Sequence, residues 1–164
     1  MTSSHSIGAR FERDIVQSLN RYYLEENVPA LAYRRYAPPR HVLEFDVLSD
    51  SINPRYYFAV ECKSLSLAWG NKLYFSSFST ANNQPQMETE ARWLEKTGRN
   101  AYFVVEFRAG AGNRREAYSL PWGVVYAHWR AGMLSMPAEW IREKGVRLGR
   151  EGTQYCIDSA ALFI

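Results

Sequence analysis

The stretch 101–107, Ala-Tyr-Phe-Val-Val-Glu-Phe, is apolar on both of the faces a strand presents. Such a run suits a strand at the centre of a sheet with helices covering both sides, and no other segment restricts the fold as much. Around it, helical and strand patterns alternate. From Gly8 to about Glu25 the positions Phe11, Ile15, Val16, Leu19, Tyr22 and Tyr23 recur at helical spacing, and Pro29 bars continuation of that helix. Runs 31–36, 42–48 and 56–63 read as strands, with a turn-rich segment at Pro38 and Pro39 and a turn at Asn53-Pro54. Residues 64–83 are irregular and rich in Ser, Asn and aromatics. Pro85 and Gly98 bracket a second helix with an apolar stripe of Met87, Ala91 and Leu94. Run 116–120 is a hairpin partner for 101–107, Gly110 and Gly112 lying in the turn, and 122–129, 138–144 and 154–157 read as two short helices and a late strand. Helix, three strands, helix, strand predicts an α/β fold, a mixed β-sheet flanked by helices.

The 164 residues suit one domain with its own hydrophobic core, residues 1–6 forming a loose, flexible tail. No apolar run approaches the roughly 18 residues of a membrane span, and the N-terminus has no basic segment followed by an apolar one. A soluble protein with no membrane partner, cytoplasmic or nucleoid-associated, is expected. Two cysteines, Cys62 and Cys156, form neither a disulfide framework nor a zinc cluster. The net charge of +3 conceals sixteen Arg against four Lys. Arginine's planar fork matches phosphate oxygens, although many proteins with other partners share this bias. His5, His41 and His128 lack metal-site spacing, Gly-x-Ser-x-Gly is absent, and Gly110-x-Gly112 is followed by Arg115 where a dinucleotide fingerprint needs Gly or Ala.

If strands 42–48 and 56–63 pair as an antiparallel hairpin with Asp46 opposite Glu61, then Glu61 and Lys63 share a face with Asp46, while Phe45, Val47, Phe58, Val60 and Cys62 collect on the other. Two carboxylates and an ammonium would converge in front of an apolar backing. The same residues would also suit an exposed cross-strand ion pair. Glu12 stands on the apolar stripe of the first helix, where an ionised carboxylate is costly unless it meets a cation or metal, although an acid near a helix start also complements the dipole. Asp14 and Arg13 are free to face solvent, and Gly8 would let the helix start approach another backbone or a ligand closely.

Gly8-Ala9-Arg10-Phe11-Glu12-Arg13, Asp46 and Glu61-Cys62-Lys63 resemble the motifs of the PD-(D/E)XK nuclease superfamily, in particular archaeal Holliday-junction resolvases and their RecU-like relatives. The resemblance runs from Gly8 to about Pro121, so it implies a restriction-endonuclease-like core over about 8–121 and a C-terminal extension over 122–164, within one nuclease domain of residues 7–164. It implies a metal-dependent endodeoxyribonuclease of DNA recombination and repair that cleaves four-way junctions as a homodimer, with Mg²⁺, or Mn²⁺ in its place, as cofactor. Asp46, Glu61, the backbone carbonyl of Cys62 and Glu12 would hold the metal, and Glu12, Asp46, Glu61 and Lys63 would form the catalytic set. Arg34, Arg35, Arg40 and His41 lie in a segment without acids, and with Arg10 and Tyr74 they are candidates to touch DNA; they suit a solvated loop equally well. Residues 73–86 could form a loop that inserts into or wraps branched DNA, or else an edge strand and a surface loop. Gln86 would aim at the site if not simply at a helix surface. A restriction- or repair-type nuclease of the same fold, or a DNA-binding module without catalysis, remains open.

Overall fold

The computed structural model describes residues 4–36, 43–78, 85–110, 112–152 and 154–157. The chain runs α1 (Ser4–Glu25), β1 (Ala30–Arg34), β2 (Val47–Ser51), β3 (Phe58–Ser66), β4 (Lys72–Tyr74), α2 (Gln86–Thr97), β5 (Asn100–Arg108), β6 (Glu116–Pro121), α3 (Trp122–Arg130), β7 (Ser135–Pro137), α4 (Ala138–Lys144), β8 (Val146–Glu151) and β9 (Gln154–Cys156). Seven strands make one sheet in the order β1-β2-β3-β5-β6-β8-β9, and β4 pairs with β7 separately. Within the large sheet only β3 and β5 run parallel, which obliges a crossover, and α2 lies in it. This is the mixed sheet flanked by helices that the sequence leads one to expect, but a fourth strand, β4, stands before α2 in the stretch read as irregular.

The sheet separates two cores. Phe11, Ile15, Leu19 and Tyr23 of α1 pack on Ala32, Val47, Phe58, Val60, Cys62, Tyr102 and Val104. On the other face Met87 of α2, Trp122 and Val125 of α3 and Ile141 of α4 cover Ala59, Phe103, Val105, Phe107 and Leu120. Strand β5 is thus central and apolar on both faces, apart from Glu106, which is fully buried. Gly98 closes α2 at φ 65°, a left-handed conformation that glycine adopts without a Cβ clash.

Several expectations need correction. Helix α1 begins at Ser4, four residues before the Gly8 start that the sequence pattern gives it. Gly8 lies inside that helix, and a Cβ there would meet no described atom within 4 Å, so no described backbone approaches it closely. Strand β2 covers 47–51 instead of 42–48, and β3 reaches Ser66 because all nine of its residues pair with β5. Phe45 belongs to the α2 side of the sheet, away from Val47, because the chain leaves the strand at Asp46. Strand β8 was not expected: its pattern is diluted by Gly149, and only Leu148 is buried along it.

Candidate active site

The site is built where β2 ends beside β3. Val47 pairs with Val60, so the register, extended by one residue, sets Asp46 opposite Glu61 as the sequence pattern predicts. Asp46 donates its N–H to the Val60 carbonyl at 3.2 Å, and its Oδ2 accepts the Cys62 N–H at 2.9 Å. A side-chain oxygen therefore completes the ladder where the strand stops, and the carboxylate is fixed in place.

Alternation along β3 points Glu61 and Lys63 toward α2 and Cys62 toward α1. That face is covered, which removes the exposed ion-pair reading: Glu61 is 1% exposed. Lys63 Nζ lies 2.5 Å from Glu61 Oε1 and 4.7 Å from the centre of the Phe78 ring. Gln86, in the first turn of α2, donates from Nε2 to Glu61 Oε1 at 2.8 Å and to Glu90 Oε1 at 2.7 Å. The Trp122 indole N–H meets Glu90 Oε2 at 2.6 Å. Gln86 is thus no helix-surface residue, and the buried Glu90 is a member of the cluster that the sequence reading overlooks. Its signal was its place four residues after Gln86, between Met87 and Leu94 on the apolar stripe.

Three acids crowd one ammonium, and ionising all of them would leave uncompensated negative charge away from water. Burial pushes the Glu61 carboxyl up to about 7 against the pull of Lys63, and pushes Glu90 up to about 8. Asp46 is raised well above the ordinary carboxylate range by burial and then by Glu61. Burial alone would lower the Lys63 ammonium, but Glu61 and Asp46 together raise it. The Cys62 thiol is raised by burial and then by Asp46, so it stays protonated and behaves as a small hydrophobe.

Glu12 approaches from α1 and acts electrostatically on Asp46, but its Oε2 receives both Arg34 Nε (2.8 Å) and Arg34 Nη2 (2.6 Å). The cation it meets is therefore Arg34, whose own charge is correspondingly neutralised. Arg35 pairs with Glu44 at 2.8 Å and lies over the Trp93 ring. Arg10 is exposed, 4.0 Å from Asp14, and Tyr74 is exposed on β4. Asp14 does not simply face solvent: burial raises its carboxyl, with Glu106, Arg115 and Arg150 also acting on it. Arg40, His41 and residues 79–84 of the 73–86 segment lie outside the described residues.

Among the described residues no three His, Cys, Asp or Glu side chains are gathered as a metal cage. A hard cation that retains several waters needs only one or two carboxylates, and here Glu61 Oε2 is buried without a hydrogen-bond partner beside Asp46. An orphaned carboxylate oxygen in an acid cluster fits a divalent ion.

Among solved structures, the chain is similar to Hjc, a Holliday junction resolvase from the archaeal hyperthermophile Archaeoglobus fulgidus. The match has 19% identity and a TM-score of 0.46, covering 94% of this chain and 91% of that one. No family model and no curated protein matches the chain. Among the described residues no helix is long and apolar enough to cross a membrane.

Proposed function

We propose that the protein is a metal-dependent DNA endonuclease selective for four-way junctions, with one nuclease domain over 7–164 acting as a homodimer. The observation that carries this reading is the Asp46, Glu61 and Lys63 cluster, in which Glu61 Oε2 is buried without a hydrogen-bond partner. Burying uncompensated carboxylates costs stability, and a bound dication offsets that cost. Selectivity for junctions rests on the motif resemblance of Glu12, Asp46 and Glu61-x-Lys63.

Asp46, Glu61 and the Cys62 carbonyl would hold Mg²⁺ or Mn²⁺, which when bound lowers the pKa of a water and neutralises charge on the scissile phosphate. Gln86 holds Glu61 through Oε1, which leaves Oε2 for the ion. Lys63, fixed by Glu61 and the Phe78 ring, orients the attacking water or donates to the phosphate oxygens as charge develops. Glu12 holds Arg34 through its Nε and Nη2 donors. Symmetric cutting of two strands needs two such sites, which a two-fold dimer supplies.

The test is incubation of the purified protein with matched four-way junction, duplex and single-stranded DNA, in Mg²⁺, in Mn²⁺ and in EDTA. Cleavage of the junction in either metal, absent in EDTA, is expected. No cleavage of any DNA under either metal would overturn the reading.

A further inference from the structure

Resting on the nuclease reading, we propose that Arg114, Arg115, Arg147 and Arg150 form a second binding site, a groove that takes the phosphodiester backbone of a duplex arm leading away from the candidate active site. These arginines line a cavity of about 450 Å³ with Leu148, Gly149 and Gly152, and among the described residues no acid takes part in the lining.

Their placement follows from the sheet. Ala117 pairs with Leu148 and Tyr118 with Arg147 across β6 and β8, so the same register continued brings Arg115 level with Arg150. Like charges directly opposite on an antiparallel pair are unfavourable. Among the described residues neither Arg114 nor Arg150 has an ion-pair partner within 4 Å, and Arg150 Nε is buried without a hydrogen bond. Arg147 shares Glu116 with Arg142. Arg115 meets Glu106, Arg147 meets Glu116 and Arg150 lies over the Tyr155 ring, so acids match the groove's guanidiniums only in part, and a phosphate fits the donors that remain.

The near end of this groove reaches β3 on the face of the sheet opposite Lys63. Ser64, next to Lys63, is level with Glu106 on the parallel partner β5. Buried Glu106 accepts from Ser64 Oγ (3.0 Å), Arg115 Nη1 (3.1 Å) and the Tyr155 hydroxyl (2.8 Å), while Arg108 Nε donates to Ser64 Oγ at 2.8 Å. Arg108 and Arg115 are therefore pre-oriented, and cationic groups continue along the face opposite Lys63 to the ends of β6 and β8. A small anion would fill one point of such a run. A polymer of phosphates fills all of it.

The test measures binding of the full chain to labelled junction and duplex DNA in EDTA over a series of NaCl concentrations. Arg114→Ala/Arg147→Ala should lower the magnitude of the slope of log K against log[NaCl] by about 0.9 per arginine, roughly 1.8 in all. Arg114→Glu, at an exposed position without a described partner, repeats the test should the double variant fold poorly, and should flatten the slope by at least one contact. Arg130→Ala, which removes an exposed arginine on α3, controls for net charge. An unchanged slope in the groove variants, or an equal loss in Arg130→Ala, overturns the groove and leaves the nuclease reading intact. Failure of the wild type to bind any DNA overturns both.

Discussion

Gln86 and Glu61 meet at 2.8 Å across the gap between α2 and β3, and the same Gln86 nitrogen lies 2.7 Å from Glu90. One amide therefore ties the orientation of a strand acid to a helix acid, and Trp122 holds the far oxygen of that helix acid. This chain of contacts fixes the orientation of every acid on the α2 side of β3 that it touches.

Replacing Glu61 with Gln keeps the shape of the cluster but removes the charge a metal would need. Glu61→Gln should abolish junction cleavage and weaken Mn²⁺ binding measured by calorimetry, while DNA affinity in EDTA stays as in the wild type. Cleavage at the wild-type rate would remove Glu61 from the metal site.

Lys63→Ala separates an enzyme from a binding module. A preorganised donor at the reacting phosphate is worth about 10²–10³ in rate. Single-turnover cleavage should fall by that factor, with Mn²⁺ binding retained because Asp46 and Glu61 remain. An equal rate in both proteins would leave Lys63 as no more than the partner of Glu61.

Glu90→Gln preserves volume but sets an amide against the amide of Gln86. Supporting groups of this kind alter metal affinity or activity by about 10–100-fold. The variant should show weaker Mn²⁺ binding and slower cleavage at fixed metal, with much of the rate restored at high Mn²⁺. Wild-type metal affinity would mean that the orientation of Gln86 does not depend on Glu90.

The pH response has a definite sign. Glu61 and Glu90 titrate near 7 and 8 when folded, above their ordinary range, so between about 4.5 and 8 the native state holds more protons than the unfolded chain. Stability in EDTA should be fullest at the acid end of that window and fall by a few kcal/mol as pH rises through it. Urea unfolding in EDTA at pH 5.5 and 8.5 checks the direction, and saturating Mn²⁺ should diminish the fall. Cleavage should rise across the same window as Glu61 ionises.

Arg34→Ala should behave as a structural change, since it strands the Glu12 carboxylate in a partly buried position. A loss of roughly 1–3 kcal/mol is expected for a charged hydrogen bond of this kind, with the salt slope of DNA binding unchanged. A slope flattened by a whole contact would return Arg34 to the phosphate-gripping role.

The register of β2 on β3 is legible in the sequence because Val47, Phe58 and Val60 leave one alignment that buries them together, and that alignment carries Asp46 opposite Glu61. The second helix is equally plain from Pro85 and Gly98. Other features depend on contacts distant in the chain. Nothing local shows that Trp122 waits for Glu90, or that Arg34 lies against Glu12 instead of pointing outward. Glu106 is hidden inside an apolar run because its partners, Ser64, Arg115 and Tyr155, come from three separate segments. Strand β8 escapes notice because it earns its place by pairing with β6 more than by its own alternation.

Asp46 makes its hydrogen bond to Cys62 with a side chain where a strand would use its backbone. Threading of the hairpin and assembly of the acid cluster are consequently one event. A hairpin shifted by one residue would send the wrong side chain to the Cys62 amide and bring no second carboxylate to Glu61. The strand end thus works as a gauge of its own alignment: on the nuclease reading, a misthreaded molecule is inert toward DNA, not a blade with altered aim.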